Sequence, residues 1–319
     1  MIYAVLLAAA VVAPFVGYPI FLMSCLCFAL FACAFNLLIG FTGLLSFGHA
    51  MFFGFAAYIA GHLAKVGLVV DGIRIFGLSI PVTFNMAPFS PLLAIFIGTF
   101  FSAILGWLVG WLAVRRQGIY FAMVTLALSQ MVYFLCVQAP FTYAEDGIQS
   151  IPRGSLLGID LKSDIAMYFF VLAIFVAAFW LINRIIHSPF GQVMKSIREN
   201  EPRALSLGYD VDKYKLVAFI LSATLAGLAG ATKALALSIA TLTDVGWQMS
   251  GEVVLMTLLG GMGTILGPVV GATTIITMQN YLSGFGSWVT VIMGMTFVVC
   301  VLAFRRGIVG EIEHRFSRK

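Results

Sequence analysis

The sequence predicts an all-α protein, a polytopic transmembrane bundle of about ten spans with both termini cytoplasmic. Three observations carry that prediction. Hydrophobic residues make up 61% of the 319 positions and charged residues only 10%, with a mean hydropathy of +1.05, whereas an ordinary soluble domain is about 25% charged. The apolar residues fall into runs suited to a hydrocarbon core about 30 Å thick, which takes roughly 20 helical residues to cross. The basic residues, although they give a formal net charge of +5, sit in a few short segments flanking those runs. That is the orientation signal of membrane proteins and speaks against a nucleic-acid partner.

The runs lie at about 2–16, 18–39, 43–64, 91–114, 119–139, 166–186, 214–237, 251–266, 267–283 and 287–304. The first, "MIYAVLLAAAVVAPFVG", ends in small residues but has no basic segment before it, so it reads as a retained span and not as a cleaved leader. The run 43–64 and the pair between 251 and 283 are interrupted by glycine, and these, like the first two runs, are read as spans that are complete, broken or re-entrant. With both termini inside, the cytoplasmic segments hold Arg115, Arg116, six basic residues from Arg184 to Lys215 and five from Arg305 to Lys319, thirteen of the 18 in the chain. Lys65, Arg74, Arg153 and Lys162 fall outside, and Lys233 near the outer end of its span. Parity and charge agree. The chain therefore reads as one transmembrane domain over 1–319, with a cytoplasmic loop at about 188–213 and outer loops at about 65–90 and 140–165. The second outer loop, with Glu145, Asp146, Asp160 and Asp164, reads either as a solvated loop or as a docking surface. Five spans on each side of it permit an inverted duplication, although no repeat shows in the sequence.

Inside the spans the small and polar residues matter most. Ser222, Ala226, Gly230 and Ala234 recur every four residues, with Ala223, Gly227 and Ala231 in the neighbouring row. Such a stripe lets helices approach closely in lipid, where association comes from backbone proximity, so this span is expected at the centre of the bundle. Two other stretches, "NLLIGFTGLLSFGHAMFFGFAAY" (36–58) and "LLGGMGTILGPVVGA" (258–272), are glycine-rich. Broken helices leave backbone groups that need partners and are tolerated where they line a cavity. Asn36, Thr42, Gly43, Ser46, Gly48 and His49 in the first, and Gly260, Gly261, Gly263 and Gly267 in the second, are thus candidate walls of a translocation path. For His49 a hydrogen bond to a neighbouring helix is an equal alternative. Gly261, Gly263 and Gly267 are spaced one residue too long for a dinucleotide fingerprint, with no strand before them.

Several chemistries are excluded. No G-x-x-x-x-G-K-[ST] loop is present, so the chain has no nucleotide cradle of its own. No Ser/His/Asp or metal-ligand grouping supports an intramembrane enzyme or a metal site. The cysteines Cys25, Cys27, Cys33, Cys136 and Cys300 all lie in apolar runs and read as buried or lipid-facing thiols. Glu252 lies at a predicted span end and no carboxylate sits deep in another run, so the relays of an ion-driven carrier are missing. The chain either conducts passively or is driven from outside the membrane.

The cytoplasmic stretch "SIRENEPRALSLGYDVDKYK" (196–215) offers a means of being driven. Asn200 or Glu201 suits an N-cap, Pro202 the first turn, and Gly208 the left-handed position past the end, which leaves a helix of about two turns, "PRALSL". That is too short to be stable alone. Acidic residues at its start suit the helix dipole. Ala204, Leu205 and Leu207 would make a small apolar surface on a rigid knob that a motor subunit can grip; the alternative is an ordinary solvated loop.

Four segments in order, 36–60, 115–131 ("RRQGIYFAMVTLALSQM"), 188–231 and 253–272, make the chain similar to LivM-type permeases, the branched-chain amino acid importers of the ATP-binding cassette class. The resemblance implies a coupling helix formed by Glu199, Asn200, Glu201, Arg203, Ala204, Leu205, Leu207 and Gly208. It also implies a path shaped by Gly43 to Gly48 and by Gly260 to Gly267. The partners it implies are a second, homologous permease, two cytoplasmic ATPases that carry the ATP and Mg, and a periplasmic binding protein, in a bacterial inner membrane. Pro202 and Arg203 stand where many relatives have other residues around an alanine pair, and should stiffen the knob. Similar permeases carry urea, short amides or small organic acids, so the cargo stays open between these and small amino acids.

Overall fold

The computed structural model describes residues 2–75, 78–86, 88–116, 118–156, 159–286, 288–303 and 307–311. The five basic residues of the predicted tail, Arg305, Arg306, Arg315, Arg318 and Lys319, lie outside these, as does the side chain of Cys300.

Each of the ten apolar runs forms a helix. In chain order these are α1 (Ile2–Val16), α2 (Pro19–Thr42), α3 (His49–Lys65), α4 (Pro91–Ala113), α5 (Ile119–Gln138) and α6 (Asp164–His187). Two short helices follow, α7 (Pro189–Glu199) and α8 (Glu201–Ser206), and then α9 (Val211–Ala236), α10 (Trp247–Gly260), α11 (Gly267–Leu282) and α12 (Trp288–Ala303). Proline opens α2, α4 and α7, where its missing N–H belongs to the unpaired first turn. By length and composition α2, α4, α5, α6 and α9 suffice to cross a membrane singly. Helix α3 has 17 residues, α10 has 14 and α11 has 16, each joined to a neighbour by an unwound glycine-rich stretch.

Two expectations are corrected. The run 43–64 becomes helical only at His49, because Gly43 takes a left-handed φ of +76° and closes α2. The run 251–266 starts earlier, at Trp247, and stops at Gly260, so residues 261–266 form a turn and not the end of a span. The all-α fold class holds, and outer segment 65–90 adds an antiparallel hairpin of β1 (Leu68–Ile75) and β2 (Leu78–Met86) outside the bundle's helices. Short two-residue ladders pair 148–149 with 239–240 and 155–156 with 159–160.

The burial of the spans sorts them into an inner pair and an outer ring. The most apolar window of α2 is 83% buried and that of α9 67%, against 33% for α4, α5 and α6. Helix α9 owes this place to its small residues. A methyl on Gly230 would run into the carbonyl of Phe53 on α3, and one on Gly227 into Ser102 on α4. Gly106 of α4 faces Ala223 in the same way, a Cβ there falling 2.6 Å from the alanine methyl. Ser102 Oγ then donates to the Ala223 carbonyl at 2.9 Å. Three helices thus meet backbone to backbone, the source of association in a solvent as apolar as their side chains.

Contacts divide the connections between two ends. At one, His62 Nδ1 meets the Phe141 carbonyl at 3.1 Å, Lys65 Nζ donates to Gln149 O at 2.7 Å, and Ile151 N donates to Ser238 O at 3.1 Å. At the other, α7 and α8 stand beside the C-terminus of α2 and the 261–266 turn. These are the ends that parity assigns to the outside and the cytoplasm.

Candidate functional site

The short helix α8 is fixed at both ends. Asn200 is its N-cap, its Oδ1 accepting from Arg203 N at 3.1 Å. At the other end Gly208 takes φ +88°; its N–H donates to Leu205 O at 2.9 Å and the N–H of Tyr209 to Ala204 O at 3.3 Å. That pair of bonds is the Schellman arrangement, which needs the left-handed residue that glycine supplies. Ser188 and Asp210 cap the neighbouring helices α7 and α9.

Ala204 does not belong to an exposed surface as expected. It is buried against Ile197 of α7 and Val211 of α9, with Val193 and Tyr214 beside them, because the helix needs one face to pack and its smallest apolar residue allows the closest approach. Lys215 Nζ ties α9 to Glu201 Oε1 at 2.6 Å, and Phe190 stacks on Tyr214 at 5.6 Å. Helices α7 and α8 and the foot of α9 therefore form one small packed unit. Leu205 and Leu207 stand free of it, 55% and 66% exposed, with Glu199 and Arg203 also exposed.

The two glycine-rich breaks meet beside this unit. Asn36 bridges them: its Nδ2 donates to Thr264 O at 2.8 Å and its Oδ1 accepts from Gly263 N at 3.0 Å. One amide thereby satisfies two backbone groups freed by unwinding at membrane depth. Thr264 Oγ1 closes the turn, donating to Gly261 O at 2.8 Å and accepting from Gly267 N at 3.0 Å. Gly260 and Gly267 pass each other where no side chain fits, and Gly40 would place a Cβ 2.8 Å from Gly263 N. Sequence reasoning missed Arg198, whose Nη1 donates to the Gly40 carbonyl; its signal was only that of one more cytoplasmic cation.

The other candidates are fixed within the bundle. His49 Nε2 lies 2.8 Å from Ser222 Oγ, and Ser222 gives its own proton to Ala34 O at 2.6 Å, so Nε2 is the donor in a bolt joining α3, α9 and α2. Phe35, Phe52 and Phe219 surround the ring. Thr42 donates back to Leu38 O, and Gly48 N donates to Ser46 Oγ at 3.3 Å, while a Cβ on Gly48 would fall 2.5 Å from the Thr125 carbonyl oxygen. Ala226 is buried in the α9 stripe. His49 and Ser222 are thus brought together, and Asn36, Gly43 and Gly263 are brought together, but the two groups are separate.

Two charged contacts inside the bundle escaped sequence reasoning. Lys233 and Asp244 form a buried ion pair, and Glu252 accepts from Gln279 Nε2 at 3.1 Å. Asp244 was legible only in T-x-x-D at 241–244, which folds as a capping box.

Among the described residues five helices are long and apolar enough to cross a membrane, and the all-α bundle they form defines a multi-pass membrane protein. Residues 17–302 match the family described as branched-chain amino acid transport system / permease component, and the chain belongs to that family. It is 26% identical over 294 residues to the high-affinity branched-chain amino acid transport system permease protein LivM of Escherichia coli (strain K12), covering 84% of this chain and 64% of that protein. It is 23% identical over 289 residues to a probable branched-chain amino acid transport permease protein LivM of Methanocaldococcus jannaschii, covering 82% and 80%. A ribose import permease protein of Bacillus subtilis is 30% identical over 169 residues, half of each chain. This chain thus spans less than two thirds of its Escherichia coli relative. No solved structure matches it.

Proposed function

We propose that this chain is the permease subunit of an ATP-driven importer of the ATP-binding cassette class, moving branched-chain or similar small amino acids from periplasm to cytoplasm across a bacterial inner membrane. One observation carries the reading. A six-residue helix, capped at both ends, presents two leucines to solvent at the end where both glycine-rich breaks meet. A helix so short does not persist unaided, and a rigid one with exposed apolar side chains is suited to being gripped. In this reading Leu205, Leu207, Glu199 and Arg203 meet a partner ATPase, which supplies ATP and Mg. A second permease completes the path, and a periplasmic protein delivers the solute.

The motor biases the switch between access states only by binding them differently. The glycine-rich breaks are where the spans yield. The amino acid cargo follows the names of the two relatives matched over most of this chain; the ribose name belongs to a relative matched over half of it.

The test is uptake of labelled leucine into proteoliposomes holding the complete complex. Import that requires both ATP and the binding protein supports the reading, and flux without nucleotide makes the chain a passive channel instead. Should leucine fail, the solute that raises the melting temperature of the neighbouring binding protein names the cargo.

A further inference from the structure

We propose that Arg198 is the positioning residue that carries movement of the coupling unit to both glycine-rich breaks, an inference that rests on the import reading above. Helices α7 and α8 and the foot of α9 are packed as one body through Ile197, Ala204 and Val211 and tied by the Lys215–Glu201 pair. A pull on α8 is therefore a pull on α7. Arg198 stands in the last turn of α7, two residues before the N-cap of α8, and its side chain crosses from this body to the membrane spans.

Its Nη1 donates to the carbonyl of Gly40, one of the last-turn carbonyls of α2. A cation is favoured there by the negative end of the helix dipole, and a charge-assisted bond is stronger than a neutral one. Lys195, one turn earlier in α7, lies 5.7 Å from the ring of Phe41 and places a second cation at the same helix end. Two of the positive-φ glycines at the breaks, Gly43 and Gly263, are fitted to the same arginine. A Cβ on Gly43 would come 3.3 Å from Arg198 Cγ, and a Cβ on Gly263 2.9 Å from Arg198 Nη1. Gly43 begins the unwound stretch before α3 and Gly263 lies in the turn between α10 and α11. Asn36 then locks the second break to α2 through Gly263 N and Thr264 O. One side chain from the coupling unit thus touches the end of α2, the break before α3 and the turn after α10. A helix breaks at these points because its backbone bonds are already open, so force arriving there changes geometry at low cost.

The experiment uses the complete complex in proteoliposomes and reads ATP hydrolysed per leucine imported. Arg198→Ala is expected to hydrolyse near the wild-type rate while the ratio rises roughly tenfold, about what one charge-assisted hydrogen bond is worth. Arg198→Lys restores part of the coupling, and Gly263→Ala, which keeps the arginine but displaces its guanidinium, reproduces the defect. Should Arg198→Ala not assemble, Gly263→Ala decides. A wild-type complex that hydrolyses ATP without importing leucine defeats the cargo reading alone. Coupling is then read from nitroxides on Gln192→Cys and Met262→Cys, both exposed positions outside the ATPase contact. Their separation is expected to stay fixed with and without nucleotide while Arg198 is present, and to change with nucleotide in Arg198→Ala. An unchanged hydrolysis ratio in Arg198→Ala or Gly263→Ala, or a nitroxide separation indifferent to Arg198, overturns the proposal.

Discussion

Lys233 and Asp244 meet in a two-pronged ion pair inside the bundle, Nζ lying 2.5 Å from Oδ1 and 2.6 Å from Oδ2. Thr241 adds hydrogen bonds to Oδ2 from its N–H at 3.3 Å and its hydroxyl at 3.1 Å, and the rings of Phe28 and Phe53 each stand 5.9 Å from Nζ. The pair bolts the 242–244 turn to α9. Removing one partner leaves an unpaired charge in an apolar interior, so Lys233→Met or Asp244→Leu should each destabilise by about 3–5 kcal/mol. The double variant should recover most of that loss, because two apolar side chains need no partner. Thermal unfolding of the detergent-solubilised protein over the four-member cycle checks this; losses that simply add mean the pair contributes no coupling.

Gly230 has its own test. A Cβ there meets the carbonyl of Phe53 on α3, and backbone cannot swing aside as a long side chain does. Gly230→Ala should separate α3 from α9 and destabilise by about 1–3 kcal/mol. Gly251, inside α10, has open space around it, so Gly251→Ala should hold or slightly raise stability, alanine being the better helix former. Comparing the two melting temperatures separates close packing from general intolerance of side chains.

These two sites show what the sequence made legible and what it did not. The α9 stripe could be read because small residues at intervals of four have one dominant use in lipid. The caps of α8 could be read because Asn, Pro and Gly each fit one backbone position. Asp244 could not be placed, since it lies in a connection between runs and its partner is brought to it by the 237–246 chain turning back against α3. Arg198 looked like any cytoplasmic cation, and only the fold brings Gly40, Gly43 and Gly263 to it. Periodicity reports faces of one helix; it says nothing of which distant turn a long side chain will reach.

Asp210 predicts a pH dependence. The side-chain bond from Lys213, then the Lys213 backbone N–H, hold its carboxyl below the ordinary carboxylate value. A depressed folded value means a contribution present above the ordinary carboxylate range and lost as pH falls through the lowered one. Protection factors of the amides in the first turn of α9, corrected for the intrinsic pH dependence of exchange, should therefore be steady near neutrality and fall on acidification. Asp210→Asn keeps a good N-cap and should abolish that acid sensitivity; persistence of it would assign the effect to another group.

Leu205 and Leu207 are expected to carry most of the ATPase contact. Both are well exposed, and burying a leucine side chain on association is worth about 1.5–3 kcal/mol. Leu205→Ser and Leu207→Ser should each weaken binding of the cognate ATPase by roughly tenfold or more, measured by titration of the nanodisc-embedded permease. Glu199→Gln and Arg203→Gln, exposed charges beside them, should instead alter mainly the salt dependence. The opposite pattern would make the contact electrostatic.

Gly208 separates the shape of α8 from its surface. Its φ of +88° closes the helix, yet nothing lies within 4 Å of where a Cβ would stand. Gly208→Val therefore introduces no clash. A β-branched residue is nonetheless forced out of the left-handed region at a cost of about 1–3 kcal/mol, which opens the Schellman bonds of Gly208 and Tyr209 and frays a helix only six residues long. The spans are untouched, so membrane insertion and yield should match wild type while permease-stimulated ATP hydrolysis falls. Gly208→Asn, which tolerates the left-handed region better, should fall between the two. Equal stimulation in all three proteins would mean that the grip does not depend on a preformed helix.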